Sequence, residues 1–172
     1  MDGVLPLRLA GVIRESVVDG PGYRFVVFTQ GCPHRCEGCH NPETHDFQGG
    51  YESDTSRILD AVRADPLLRG VTFSGGEPFC QAAPLAHLAR QIHALGLDVM
   101  CYTGYTFEQL TADTDNHPDW LALLKETDIL VDGPFILSEK SLSLRFRGSK
   151  NQRMIDPKRS LAEHRIVEIS LS

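Results

Sequence analysis

The sequence predicts an α/β fold, a partial (incomplete) βα barrel or open sheet with about four core βα units and irregular flanks. Three observations carry this expectation. Short apolar runs rich in β-formers recur along the chain, segments of helical period separate them, and 172 residues fall short of the roughly 200 or more that a closed eight-fold barrel usually needs.

The four runs are Arg24 to Gln30 (RFVVFTQ), Gly70 to Ser74 (GVTFS), Leu97 to Tyr102 (LDVMCY) and Asp128 to Asp132 (DILVD). Their hydrophobicity is continuous rather than alternating, which predicts strands of a parallel sheet buried on both faces. Between them, Ser56 to Arg63 puts Ile58, Leu59 and Val62 on one helical face. Ala82 to Leu95 spaces Leu85, Leu88, Ala89, Ile92 and Leu95 at helical period and stops at Gly96, a suitable C-terminal cap. Pro118 to Thr127 opens with proline and carries Trp120, Leu121 and Leu124. Leu7 to Val18 reads as an antiparallel edge strand. After Phe135 there are weaker strand signals at Arg153 to Asp156 and His164 to Ile169, with no long helical pattern between them. No linker or repeat divides the chain, so residues 1–172 are expected to form one domain.

The formal net charge of −6 argues against general binding to nucleic acid or to an anionic membrane. The apolar runs are far shorter than the roughly 20 residues of a membrane span, and the N-terminus lacks a secretory pattern, so a cytoplasmic location is expected. Charge is unevenly placed: eight basic residues between Lys140 and Arg165 face only Asp156 and Glu163 there. Arginine dominates that segment, and its planar fork suits carboxylates and phosphates.

Of five cysteines, Cys32, Cys36 and Cys39 fall within eight residues, in GCPHRCEGCHN directly after the first core strand. An odd count without a signal peptide points to metal or redox chemistry rather than to a disulfide framework. Three thiolates at this spacing can wrap one soft metal centre. Because fully liganded [4Fe–4S] clusters take four, a three-cysteine cluster leaves one iron open to a ligand. Zinc held by the three cysteines with His34 or His40, and a redox dithiol of Cys36 and Cys39, are the alternatives. Cys80 and Cys101 are expected to be buried small apolar groups. A second motif, TFSGGEP from Thr72 to Pro78, ends the next strand in Gly75, Gly76 and Glu77. Paired glycines there permit close backbone approach by a ligand, and the position shares a rim with the thiol loop.

With these residues in view, the chain resembles the radical S-adenosylmethionine (SAM) superfamily through CxxxCxxC. Within it, the chain is similar to the activating proteins of anaerobic (class III) ribonucleoside-triphosphate reductase. The resembling stretches are Gly20 to Thr44, TFSGGEPF, YTGYTFEQL, ILVDGPF and RFRGSKNQRMID. The resemblance implies an incomplete βα barrel in which Cys32, Cys36 and Cys39 hold three irons of a [4Fe–4S] cluster and SAM chelates the fourth. It further implies that Gly38, Cys39 and His40 pass close to SAM, that Gly75, Gly76 and Glu77 bind its amino group, and that Asp132 lies near the cofactor. No side-chain acid or base is then needed, since the radical is generated on the cofactor. Reductive cleavage would give methionine and a 5′-deoxyadenosyl radical that takes a glycine Cα hydrogen from the reductase's C-terminal glycyl loop. A donor such as flavodoxin would supply the electron. Arg145, Arg147 and Arg153 are expected to serve SAM or the partner. An activase of pyruvate formate-lyase or another glycyl radical enzyme, and a zinc-stabilised interaction module, are the rival readings.

Overall fold

The computed structural model describes residues 3–170; the expected 1–172 domain includes Met1, Asp2, Leu171 and Ser172, which lie outside the described residues. The four apolar runs form the parallel centre of a seven-stranded sheet: β2 (Arg24–Thr29), β4 (Gly70–Gly75), β5 (Asp98–Tyr102) and β6 (Ile129–Asp132). β1 (Pro6–Ser16) runs antiparallel to β2, and β7 (Arg153–Ile155) runs antiparallel to β6. The order is β3-β1-β2-β4-β5-β6-β7, with β3 (Tyr51–Asp54) and β7 at opposite ends, so the sheet is open.

Two flank expectations need correction. β1 is antiparallel as expected but is not the edge, because β3 pairs outside it. The sequence YESD of β3 carries no apolar alternation; main-chain pairing to β1 alone defines it. The residues from His164 to Ile169 make only an isolated bridge, Ile155 with Glu168, and the segment before them is a short helix, α5 (Pro157–Glu163). Pro157 fits its first turn, where the missing N–H costs nothing, and Asp156 caps it by accepting from Arg159 N at 2.9 Å.

The expected helices are α1 (Thr55–Arg63), α2 (Ala82–Ala94) and α4 (Pro118–Lys125). Asp54 caps α1, and Gly96 at φ +82° ends α2, a left-handed conformation that glycine adopts without strain. A further short helix, α3 (Phe107–Thr111), starts from a Thr106–Gln109 capping box.

The helices bury their apolar faces on one side of the sheet. Phe25, Val27, Val71, Phe73, Val99, Cys101 and Leu130 point to that side and join Ile58, Leu85, Leu88, Ile92, Leu123 and Leu124 in one core. The continuous hydrophobicity of the strands has a different cause on the other side. Arg24, Val26, Thr72, Met100 and Val131 are fully buried there too, but beneath loops and the sheet's own neighbours rather than helices. Arg24 closes the lower end of this inner face. Its guanidinium donates to Thr72 Oγ1 at 2.7 Å, to Pro21 O at 3.0 Å and to Val71 O at 3.1 Å, and pairs with Asp98. A buried guanidinium is tolerated because its donors find partners. The upper end, at the C-terminal ends of the parallel strands, is left open as a cavity.

On the lower rim Asp128 joins four elements. It accepts from Val99 N and from His93 Nε2, both at 2.8 Å, and from Lys158 Nζ at 2.7 Å; His93 Nδ1 faces Glu126 at 3.0 Å. Burial opposes the charge, but Lys158, the Val99 N–H and His93 outweigh it and hold the Asp128 carboxyl below its ordinary range. This stabilisation is fully present above the unfolded value of about 3.9 and is lost as pH falls through the lower folded value. Asp128→Asn is expected to cost about 1–3 kcal/mol near pH 7. Urea unfolding of both proteins checks this, and the gap between them must narrow below about pH 4.

Candidate functional site

After β2 the chain enters a loop, residues 30–50, that is cross-bonded at its base. Gly31 N donates to Thr44 O at 2.7 Å and Cys32 N to His45 O at 3.2 Å. The buried Gln30 amide donates to Glu43 O at 3.0 Å and to Asp46 O at 2.7 Å, and Arg8 Nε reaches Gly49 O at 2.6 Å. The base of the loop, up to Cys32, is therefore held by main-chain and side-chain hydrogen bonds. Further along the loop Cys39 N donates to Cys36 O at 3.2 Å, and Gly38 sits at φ +74°. Asn41 N points at Cys39 Sγ at 3.5 Å.

Cys32, Cys36 and Cys39 all line one cavity of about 730 Å³. That volume lies within the range of small-molecule and cofactor sites. Burial, helped by the nearby Glu77 charge, pushes the Cys32 thiol up to about 11, so metal loading at neutral pH has to displace its proton. The three thiols border one shared space, and a cluster there would take one thiolate on each of three irons. His40 also lines the cavity, against the Phe135 ring at 5.0 Å. Gly38 does not; its Cα packs on Leu137, where a Cβ would meet Cδ1 at 2.8 Å.

Gly75 and Gly76 line the same cavity, and their lack of side chains has a tertiary cause that the sequence does not reveal. A Cβ on Gly75 would lie 2.4 Å from Thr29 N, and one on Gly76 would lie 2.5 Å from Thr29 O and 2.7 Å from Gly31 O. Gly76 N donates to Thr29 O at 3.2 Å and Glu77 N to Gly31 O at 2.8 Å. The pair is pressed against the base of the thiol loop, so the two motifs abut through main chain.

The Glu77 carboxylate is fully buried and is not among the groups lining the cavity. Its oxygens accept from Thr103 Oγ1 at 2.9 Å, Gly104 N at 2.8 Å, Phe79 N at 3.0 Å and His34 Nε2 at 2.5 Å. Asp132 is likewise buried and turned to protein donors. It accepts from Phe107 N at 2.8 Å and twice from Arg153, at 2.6 and 3.0 Å, while its neighbour Gly133 lines the cavity.

The basic C-terminal segment divides accordingly. Hydrogen bonds to Asp132 and Glu108 hold Arg153 firmly protonated, whereas Lys158 pairs with Asp128, and Arg159 and Arg165 pair with Glu163. Arg147 differs. It lines the cavity and donates to Gln152 O at 3.2 Å, while its buried Nε has no hydrogen-bond partner among the described residues. Cys101 is buried in the core as expected; Cys80 is not buried but exposed, because it falls on the outward side of the turn before α2. Sequence spacing did not single out His34 with Thr103 and Gly104 around Glu77, since these contacts join residues 26 to 43 positions apart.

The chain has relatives among known proteins. The family described as a 4Fe-4S single cluster domain matches residues 18–155. Curated relatives named anaerobic ribonucleoside-triphosphate reductase-activating protein include one from Vibrio cholerae serotype O1, 34% identical over 145 residues, covering 80% of this chain and 90% of the relative. Others come from Enterobacteria phage T4, 32% identical with 80% and 86% covered, and from Escherichia coli K12, 33% identical with 80% and 90% covered. Among solved structures, QueE from Escherichia coli superposes with a TM-score of 0.47 and 18% identity over 59% of this chain and 53% of that one. With the three-thiol loop inside the matched span and relatives aligned over most of their length, the chain belongs to the anaerobic ribonucleoside-triphosphate reductase-activating protein family, built on a 4Fe-4S single cluster domain.

Proposed function

We propose that this chain, working as one domain over residues 1–172, is a radical SAM activase that installs a glycyl radical on an anaerobic ribonucleoside-triphosphate reductase. The observation that carries this reading is the meeting of three free thiols, a glycine-built main-chain wall and an incompletely satisfied arginine around one cavity. Cys32, Cys36 and Cys39 would hold a [4Fe–4S] cluster, leaving one iron for the amino and carboxylate groups of SAM. Bound there and given one electron, the cofactor pair would supply reductive cleavage of the sulfonium C5′–S bond, to methionine and a 5′-deoxyadenosyl radical able to take a Cα hydrogen from the partner's glycine.

The protein's own groups bind, orient and shelter. The Gly75–Gly76 main chain and the Cys39–His40 peptide flank the cofactor, with Gly38 setting the turn between the last two thiols. Glu77 serves the same site through the turn it holds, and Asp132 through Gly133. Arg147 offers a planar cation to a carboxylate. Ile13, Val18 and Leu142, all on the cavity lining, are 43%, 73% and 92% exposed, beside the exposed His40 and Lys140. That partly apolar rim favours entry of the reductase's C-terminal glycyl loop as an extended peptide. A flavodoxin-like donor in the cytoplasm supplies the electron. No helix among the described residues is long and apolar enough to cross a membrane.

Anaerobic reconstitution with iron and sulfide, reduction by dithionite and addition of SAM are expected to yield 5′-deoxyadenosine. Cys36→Ala must abolish the product; zinc without iron in the purified protein, or product formation that survives the substitution, overturns the reading. Arg147→Ala is expected to weaken SAM binding about tenfold or more, the loss of one charge-assisted hydrogen bond, in an equilibrium titration of the reconstituted protein. Unchanged affinity would remove Arg147 from the cofactor site.

A further inference from the structure

The thiol loop and the glycine turn meet through main chain at their base, but one side chain joins them higher up. His34 lies between Cys32 and Cys36, and its Nε2 is 2.5 Å from Glu77 Oε1. The same oxygen accepts from Gly104 N at 2.8 Å and from Thr103 Oγ1 at 2.9 Å. An oxygen receiving two other donors acts as an acceptor, so Nε2 is the donating nitrogen. The imidazole is fixed on two further sides. The Tyr105 ring packs edge-on with centroids 4.5 Å apart, and Gly104 lies so close that a Cβ there would stand 2.4 Å from the His34 ring.

We infer that His34 is a positioning residue: its bond to the buried Glu77 carboxylate latches the three-thiol loop to the Gly75–Gly76 turn and fixes the separation of the two walls that SAM must bridge. Glu77 is immobilised by donors from three segments: Phe79 N of its own turn, Thr103 and Gly104 after β5, and His34 of the loop. Among the described residues His34 is the side chain of the thiol loop that reaches this knot. Without it the stretch from Pro33 to Asn41 keeps its own turns, the pinned ends of the loop and the packing of Gly38 on Leu137 and of His40 against Phe135, but loses its side-chain hydrogen bond to the glycine turn. A ligand spanning thiol-bound iron on one wall and main chain on the other needs both walls at the same spacing, because interactions made at two points are lost together when the distance drifts.

The inference rests on the cluster reading proposed above, and the test separates the two. His34→Ala, His34→Gln and Gly104→Ala are reconstituted beside the parent protein; iron and sulfide are quantified, and the EPR spectrum of the reduced cluster is followed during a SAM titration. Glutamine carries an N–H donor near the Nε2 position, and alanine at 104 displaces the imidazole without deleting its polar atoms. His34→Ala and Gly104→Ala are expected to load iron and sulfide as the parent does, yet to need about tenfold more SAM for half of the spectral change. His34→Gln is expected to restore most of that loss. A parental titration curve in His34→Ala overturns the latch, as does a glutamine variant no better than alanine. Failure of His34→Ala alone to load the cluster would also overturn it, assigning the bond to loop folding instead. A parent protein that takes up no iron or sulfide would remove the cluster reading itself, whatever the variants do.

Discussion

The buried carboxylate of Glu77 is the constraint around which the upper half of this molecule is organised. A charge taken out of water is stable only when its lone pairs are filled, and here the donors come from three segments that are distant in sequence. Satisfying one group therefore fixes the exit of β4, the loop after β5 and the thiol loop relative to one another. Around this knot the main chain closes further, with Gly75 and Gly76 pressed onto Thr29 and Gly31. A low-dielectric setting strengthens these bonds and raises the cost of losing any one of them, so the knot is rigid as well as specific.

The lower half depends on a second buried charge of opposite sign. Arg24 fills the inner face of the sheet where a closed barrel would place layers of side chains, and it ties the turn after β1 to β4 and to Asp98. Helices cover only the outer face. Between the Arg24 plug below and the Glu77 knot above lies the cavity, bounded by strand ends, the thiol loop and the segment carrying Arg147. An α/β sheet places ligands at the C-terminal ends of its parallel strands, and this cavity lies at that end.

The parallel strands, the longer helices and the thiol motif were legible in the sequence, because each rests on a local signal: a continuous apolar run, a helical period with a cap, or ligand spacing within a loop. β3 was not, since YESD gains its identity only from pairing with β1. The exposure of Cys80 was equally hidden, as burial depends on which way a short turn faces. The basic segment read as one patch, yet its members part company in space: Arg153 is committed to Asp132 and Glu108, and Arg147 turns to the cavity. Charge counted along the chain records composition, while pairing is decided by elements that approach from elsewhere.

By itself the sequence determined the fold class, the four parallel strands in their order along the chain, and the three thiols able to share one soft metal centre. Those features follow from hydrophobic period and from the short reach of a loop, and neither needs distant residues. Only the tertiary structure decided that the Glu77 and Asp132 carboxylates turn to protein donors, that His34 fastens the thiol loop to the strand-end turn, and that the glycine pair is demanded by Thr29 and Gly31. Each of these is a contact between residues far apart in the chain, and its geometry exists only once the sheet has brought their elements together.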